Sequence, residues 1–115
     1  MPSYNFQHRF ADAILRGLKR QTIRAKRNNQ PRVGQTAYCF TGMRTKKCRR
    51  LVTWPIRRVR DVMLTKQGVW LDGRQMQDEL LESFAQADGF SHWPGMVVWF
   101  SKTHGLPFHG DLVMW

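Results

Sequence analysis

The hydrophobic period of this chain changes from two to 3.6 and back, and that order constrains its fold more than any other feature. Tyr4-Asn5-Phe6-Gln7-His8 alternates apolar and polar side chains, as a short half-buried strand does. Residues 9–18 then place Phe10, Ile14, Leu15 and Leu18 on one side of a helix, with Gly17 where a C-terminal cap belongs. Lys19 to Arg24 leaves that helix as a tight connection into a strand. Asn28-Asn29, Pro31 and Gly34 mark residues 25–34 as a loop. Residues 36–40 and 48–54 read as two strands joined by a basic turn around Thr41-Gly42, and Pro55 puts the second at a sheet edge. Residues 56–64 resume as a strand. Asp72-Gly73, between Val69-Trp70-Leu71 and Arg74 to Met76, is the signature of a tight hairpin.

Residues 77–87 have helical spacing, with Leu80, Leu81, Phe84 and Ala87 on the buried stripe and Gly89 as a cap. Ser91 is placed to cap a second helix carrying Trp93, Met96, Val97 and Phe100, which Gly105 ends. Residues 108–115 form a last strand. Strand, helix, several strands, two helices and a strand predict one α+β domain over residues 1–115, built on a twisted sheet or small barrel.

The charge is unevenly placed. Of 19 Lys and Arg, 16 fall in residues 1–60, where Asp12 is the only acid; the other seven acids follow. A basic half beside a near-neutral half suggests a polyanion on one side, a nucleic acid first, although a solvated basic surface with no partner would show the same charge. No run of about 18 apolar residues suggests a membrane span, and the start lacks a secretory pattern. A cytoplasmic protein is therefore expected. Its cysteines, Cys39 and Cys48, could face each other across a hairpin, but a reducing cytosol favours two buried free thiols. Neither they nor the scattered His8, His92, His104 and His109 have metal-ligand spacing, so no metal or other cofactor is expected.

The chemistry concentrates in Gly17-Leu18-Lys19-Arg20-Gln21-Thr22-Ile23-Arg24. Gly17 can turn the chain sharply and leave room for a ligand near the backbone. If residues 22–24 are extended, Thr22 and Arg24 share a face. A Lys among other cations is held toward its neutral form, which makes Lys19 a candidate general base. Thr22 is then a candidate nucleophile, and the planar fork of Arg24 suits a phosphate or an oxyanion. A capped helix leading into a solvated basic strand accounts for the same residues without chemistry. Of Tyr38, Phe40, Trp54 and Trp70 on the strands, one or two could stack on a base; Tyr38 is taken as a substrate-binding candidate. Trp93, Trp99 and Phe100 read as helix packing. Arg44, Lys46, Lys47, Arg49 and Arg50 form either a phosphate-tracking edge or plain surface charge, and Arg57, Arg58 and Arg60 would align with them if their strands are neighbours.

The segment Phe6-Gln7, Arg9-Phe10, Asp12, Ile14-Leu15, Gly17, Lys19, Thr22-Ile23-Arg24 resembles the signature of the ASCH family, small proteins with a PUA-like β-barrel. Val33-Gly34-Gln35 resembles that family's Val-Gly-Asp turn, with Gln35 replacing the acid. Ala85-Gln86-Ala87-Asp88-Gly89-Phe90 resembles its Ala-x-x-acid-Gly-Phe motif, and a final strand ending in Trp115 also fits. The resemblance implies a PUA-like barrel with flanking helices. One group in the family, small bacterial acetylcytidine amidohydrolases, removes the acetyl group of N4-acetylcytidine with a Lys, a Thr and a carboxylate. Carried over, these become Lys19, Thr22 and Asp88, with Asp88 one methylene shorter than the family's Glu. Other ASCH proteins resemble RNA-binding modules or cleave RNA. The expected partner is thus RNA or a modified nucleoside, and three activities stand open. They are amide hydrolysis, non-catalytic RNA binding, and RNA cleavage in which Lys19 and Arg24 steady a pentacovalent phosphate while Asp88 or a His moves protons. The oligomeric state stays open.

Overall fold

The computed structural model describes residues 2–115. Eight strands and three α-helices alternate in an α+β arrangement. They are β1 (Ser3–Phe6), α1 (Ala11–Leu15), β2 (Gln21–Ala25), β3 (Thr36–Thr41), β4 (Arg49–Pro55), β5 (Arg58–Leu64), β6 (Val69–Leu71), β7 (Arg74–Gln75), α2 (Leu81–Ala87), α3 (Trp93–Thr103) and β8 (Phe108–Met114). The strands form two sheets. One has the order β1-β3-β4, with β1 parallel to β3; the other has the order β2-β8-β5-β6-β7 and is antiparallel throughout. No strand ladder joins the two sheets among the described residues, so backbone pairing does not close a barrel.

Strand β8 lies between β2 and β5, with Val113 paired to both Thr22 and Val59. That position pairs both of its edges, and residues 110–113 are all buried, so both faces are covered over that stretch. Gly110 permits the closest approach: a Cβ there would collide with the carbonyl of Arg24 on β2. One apolar cluster fills the interior, with Tyr4 and Phe6 from β1, Val62 from β5 and Met96 from α3 among its members. The Phe6 and Trp115 rings meet edge to face at 6.1 Å, linking the end of β1 to the residue that follows β8.

Both helices that lead into the candidate motifs end in the same closure. After α1, the amide of Gly17 donates to the carbonyl of Ile14 (3.1 Å) and that of Leu18 to Ala13 (2.8 Å). After α2, Gly89 donates to Gln86 (3.0 Å) and Phe90 to Ala85 (2.9 Å). This is the Schellman pattern, which needs a left-handed residue; Gly17 and Gly89 supply it at φ +74° and +98°.

Several boundaries differ from the sequence expectation. The first helix covers only residues 11–15, preceded by a 3₁₀ turn at His8–Phe10, because the Schellman closure ends it less than one turn early. Residues 77–87 likewise split into a 3₁₀ turn (Asp78–Leu80) and α2, and the change of period turns Leu80 out to 49% exposure. Ser91 does not cap α3. His92 holds the N-cap position without a side-chain bond, and Glu82 of α2 accepts from the Trp93 amide at 2.9 Å instead. Cys39 is buried as expected, but Cys48 is exposed in the β3–β4 turn, and both thiols are free. The Asp72-Gly73 hairpin forms as read, with both residues at positive φ. Pro55 ends β4, the free edge of its sheet.

Candidate active site

The two Schellman closures bring Lys19 and Asp88 together. Asp88 is the C-cap of α2, and Lys19 follows the α1 closure by one residue. The Lys19 Nζ donates to the backbone carbonyl of Asp88 at 2.6 Å and to that of Gln21 at 2.8 Å. It lies 3.5 Å from the Asp88 carboxylate, to which Gln21 also donates through Nε2 at 3.3 Å. Lys19 is 3% exposed and Asp88 4%. Gly89 allows this closeness, since a Cβ there would fall 2.6 Å from the Phe10 ring and 3.1 Å from Cδ of Lys19.

Burial governs the electrostatics of the pair. It pushes the Lys19 ammonium below the usual lysine range; Asp88 opposes this and Arg24 reinforces it. Burial likewise raises the Asp88 carboxyl, against the pull of Lys19, Gln21 and Arg24. Each group is thus driven toward its neutral form. A neutral amine keeps two N–H donors and gains a lone pair, so both carbonyl hydrogen bonds survive loss of the proton.

Strand β2 supplies the other two groups. Thr22 and Arg24 share a face, and Arg24 Nε donates to the Thr22 hydroxyl oxygen at 2.8 Å. A guanidinium has no acceptor, so the Thr22 hydroxyl proton is free to be donated elsewhere. Arg24 Nη2 donates to the Asn5 carbonyl at 2.8 Å, and its guanidinium lies 4.8 Å from the Phe6 ring centroid. The remaining Arg24 N–H groups have no protein partner among the described residues.

These side chains line one cleft of ≈ 130 Å³, walled by Phe10, Phe90, Trp99 and His104. Burial, and then Arg24, lowers the His104 imidazole below its ordinary value. A larger cavity of ≈ 760 Å³ opens under residues 27–35, but it contains none of the candidate catalytic groups. Among the described residues, no group of three or more His, Cys, Asp or Glu side chains could hold a metal ion.

Of the residues singled out from the sequence, Lys19, Thr22, Arg24 and Asp88 come together. Gly17 is exposed and is not among the residues lining this cleft; it closes α1. Tyr38 lies on the opposite face of β3 from Cys39 and is also outside the cleft. Arg44, Lys46, Lys47, Arg49 and Arg50 are exposed on the β3–β4 hairpin, which the Met43 amide ties to Asn5 Oδ1 at the cleft wall (3.0 Å). The second cluster does not align with them, because β4 and β5 belong to different sheets. Arg57 and Arg58 lie beyond the far end of β4, and Arg60 is paired with Asp72 at 2.9 Å. Gln21, Trp99 and His104 were missed. Gln21 sits inside the Lys–Thr segment, and that position was the signal available for it.

No family model matches this chain, nor does any curated protein or solved structure. No helix among the described residues is long and apolar enough to cross a membrane.

Proposed function

We propose that this chain is a nucleoside- or RNA-directed protein of the ASCH type, whose cleft hydrolyses the acetyl amide of N4-acetylcytidine. The observation that carries the reading is the convergence of Lys19, Thr22, Arg24 and Asp88 on one cleft from two distant motifs. The two sheets around one core would be an opened form of the PUA-like barrel. Neutral Lys19 takes the proton of Thr22, whose oxygen bonds to the acetyl carbon. Arg24 bears the negative charge that develops on the carbonyl oxygen. The C–N4 bond then breaks, N4 takes up a proton with Asp88 as its source or relay, and cytidine leaves. Water releases acetate from Thr22 by the same steps.

The test is to incubate the purified protein with N4-acetylcytidine and follow cytidine and acetate by chromatography. Conversion is expected, with Lys19→Ala and Thr22→Ala each abolishing it, because base and nucleophile act as a unit. An intact, folded protein that releases no acetate would overturn the reading and leave a binding module.

A further inference from the structure

Among the described residues, one face of the β1-β3-β4 sheet lies outside the apolar core. Along the central strand β3, Ala37, Cys39 and Thr41 point inward and are buried, while Tyr38 and Phe40 point outward and are half-buried. Neither ring belongs to the apolar core or packs against it. Two aromatic rings at i and i+2 on one strand stand about 6.6 Å apart, about twice the 3.4 Å rise of stacked bases. Their cross-strand neighbours are small or polar: Ser3 and Thr53 beside Tyr38, Asn5 and Arg50 beside Phe40.

The charge around this face has one sign. Strands β1, β3 and β4 and the hairpin between the last two contain no Asp or Glu, while the hairpin and the start of β4 carry five exposed cations. Asn5 links the face to the cleft. It pairs with Phe40, accepts from the hairpin amide of Met43, accepts from Arg24 through its carbonyl, and lines the cleft.

We infer that Tyr38 and Phe40 form a base-stacking platform for single-stranded RNA, with the phosphates held by the hairpin cations and the strand leading past Asn5 to the cleft. The assignment of RNA rests on the reading of the cleft as an acetylcytidine site. The chemistry is that of sheet-borne recognition: flat rings take unpaired bases, and a basic rim takes the backbone. It makes the substrate a nucleotide within a strand, whose base alone enters a cleft of ≈ 130 Å³.

Fluorescence anisotropy with a labelled, unacetylated single-stranded RNA of about a dozen nucleotides tests it. Tyr38→Thr and Phe40→Thr should each weaken binding roughly 5- to 150-fold, the range a stacked base is worth, and leave the salt slope unchanged. Tyr38→Phe should retain affinity, which separates loss of stacking from loss of fold. A hairpin Arg49→Glu, Arg50→Glu variant should weaken binding and flatten the salt dependence. Duplex RNA, whose bases are not free to stack, should bind more weakly than the single strand. Equal binding of duplex and single strand, or Thr variants that are folded and bind as well as the parent, would overturn the platform. If the parent hydrolyses free N4-acetylcytidine but binds no RNA, the platform fails and the cleft reading stands. If it binds RNA through Tyr38 and Phe40 but hydrolyses nothing, the cleft reading fails and the platform stands.

Discussion

Lys19 and Asp88, 69 positions apart in the chain, are joined twice: the ammonium donates to the Asp88 carbonyl at 2.6 Å and lies 3.5 Å from its carboxylate. The first contact orients the second, because it fixes Nζ against the backbone of the residue whose side chain it faces. Lys19→Met would leave the buried Asp88 carboxyl and the Asp88 and Gln21 carbonyls without their donor and is expected to destabilise the fold by about 1–3 kcal/mol. Adding Asp88→Asn should cost less than the sum of the single losses, with a coupling of about 0.5–3 kcal/mol. Urea unfolding of the four proteins measures this, and additive losses would show that the groups do not act as a pair.

Asp88→Glu separates a weakened copy of a longer acid from an acid fitted to its site. The carboxylate is already within reach of Lys19 and Gln21, and the residue is fully enclosed. An extra methylene overpacks the pocket, for about 1–3 kcal/mol. The variant should therefore be less stable and no faster in acetate release. A faster Glu variant would mean that the pocket yields.

Gly89→Ala should damage stability and chemistry together. Its φ of +98° already disfavours a side chain, and the new Cβ would press on Phe10 and on the Lys19 stem. A loss of about 1–3 kcal/mol is expected in thermal or urea unfolding, together with reduced turnover. Gly17→Ala shares the positive φ, at +74°, but meets nothing within 4 Å. It should cost less and spare the cleft.

Two pH effects have opposite origins. His104 has its folded-state pKa below the unfolded value of about 6.5. Between those two values the unfolded chain binds more protons, so this contribution to stability is complete above about pH 6.5 and is lost as pH falls. Replacing His104 by Gln should remove that slope from unfolding measured across the acid range. The rate should instead rise with pH as Lys19 loses its proton, reaching its plateau below pH 10.5, the ordinary lysine value. A rate that keeps rising through pH 10.5 would exclude a Lys19 held below its ordinary value as the base.

The element order was legible because strand alternation and glycine punctuation are local signals. Gly17, Gly89 and the Asp72-Gly73 pair each act where the sequence placed them. Helix lengths were not legible. A 3₁₀ turn and an α-turn share similar apolar spacing, so Leu80 looked buried until the change of period turned it outward. The Ser91 cap failed for a nonlocal reason, since the amide it would have served is taken by Glu82 on another helix. The facing of Tyr38 and the alignment of the two arginine clusters depend on strand order, and no local pattern encodes which strands become neighbours.

The acid-free sheet has an electrical consequence. Its three strands and the hairpin also contain no histidine, so they lack every side-chain type that ordinarily changes charge between about pH 4 and 8. Their buried thiol, Cys39, is held up at about 11. The five cations of this surface keep their charge across the neutral range, and their attraction for a polyanion falls as ionic strength rises. Salt and acidity become independent handles on the molecule: salt acts on the face, whereas a response to pH near neutrality originates elsewhere in the chain.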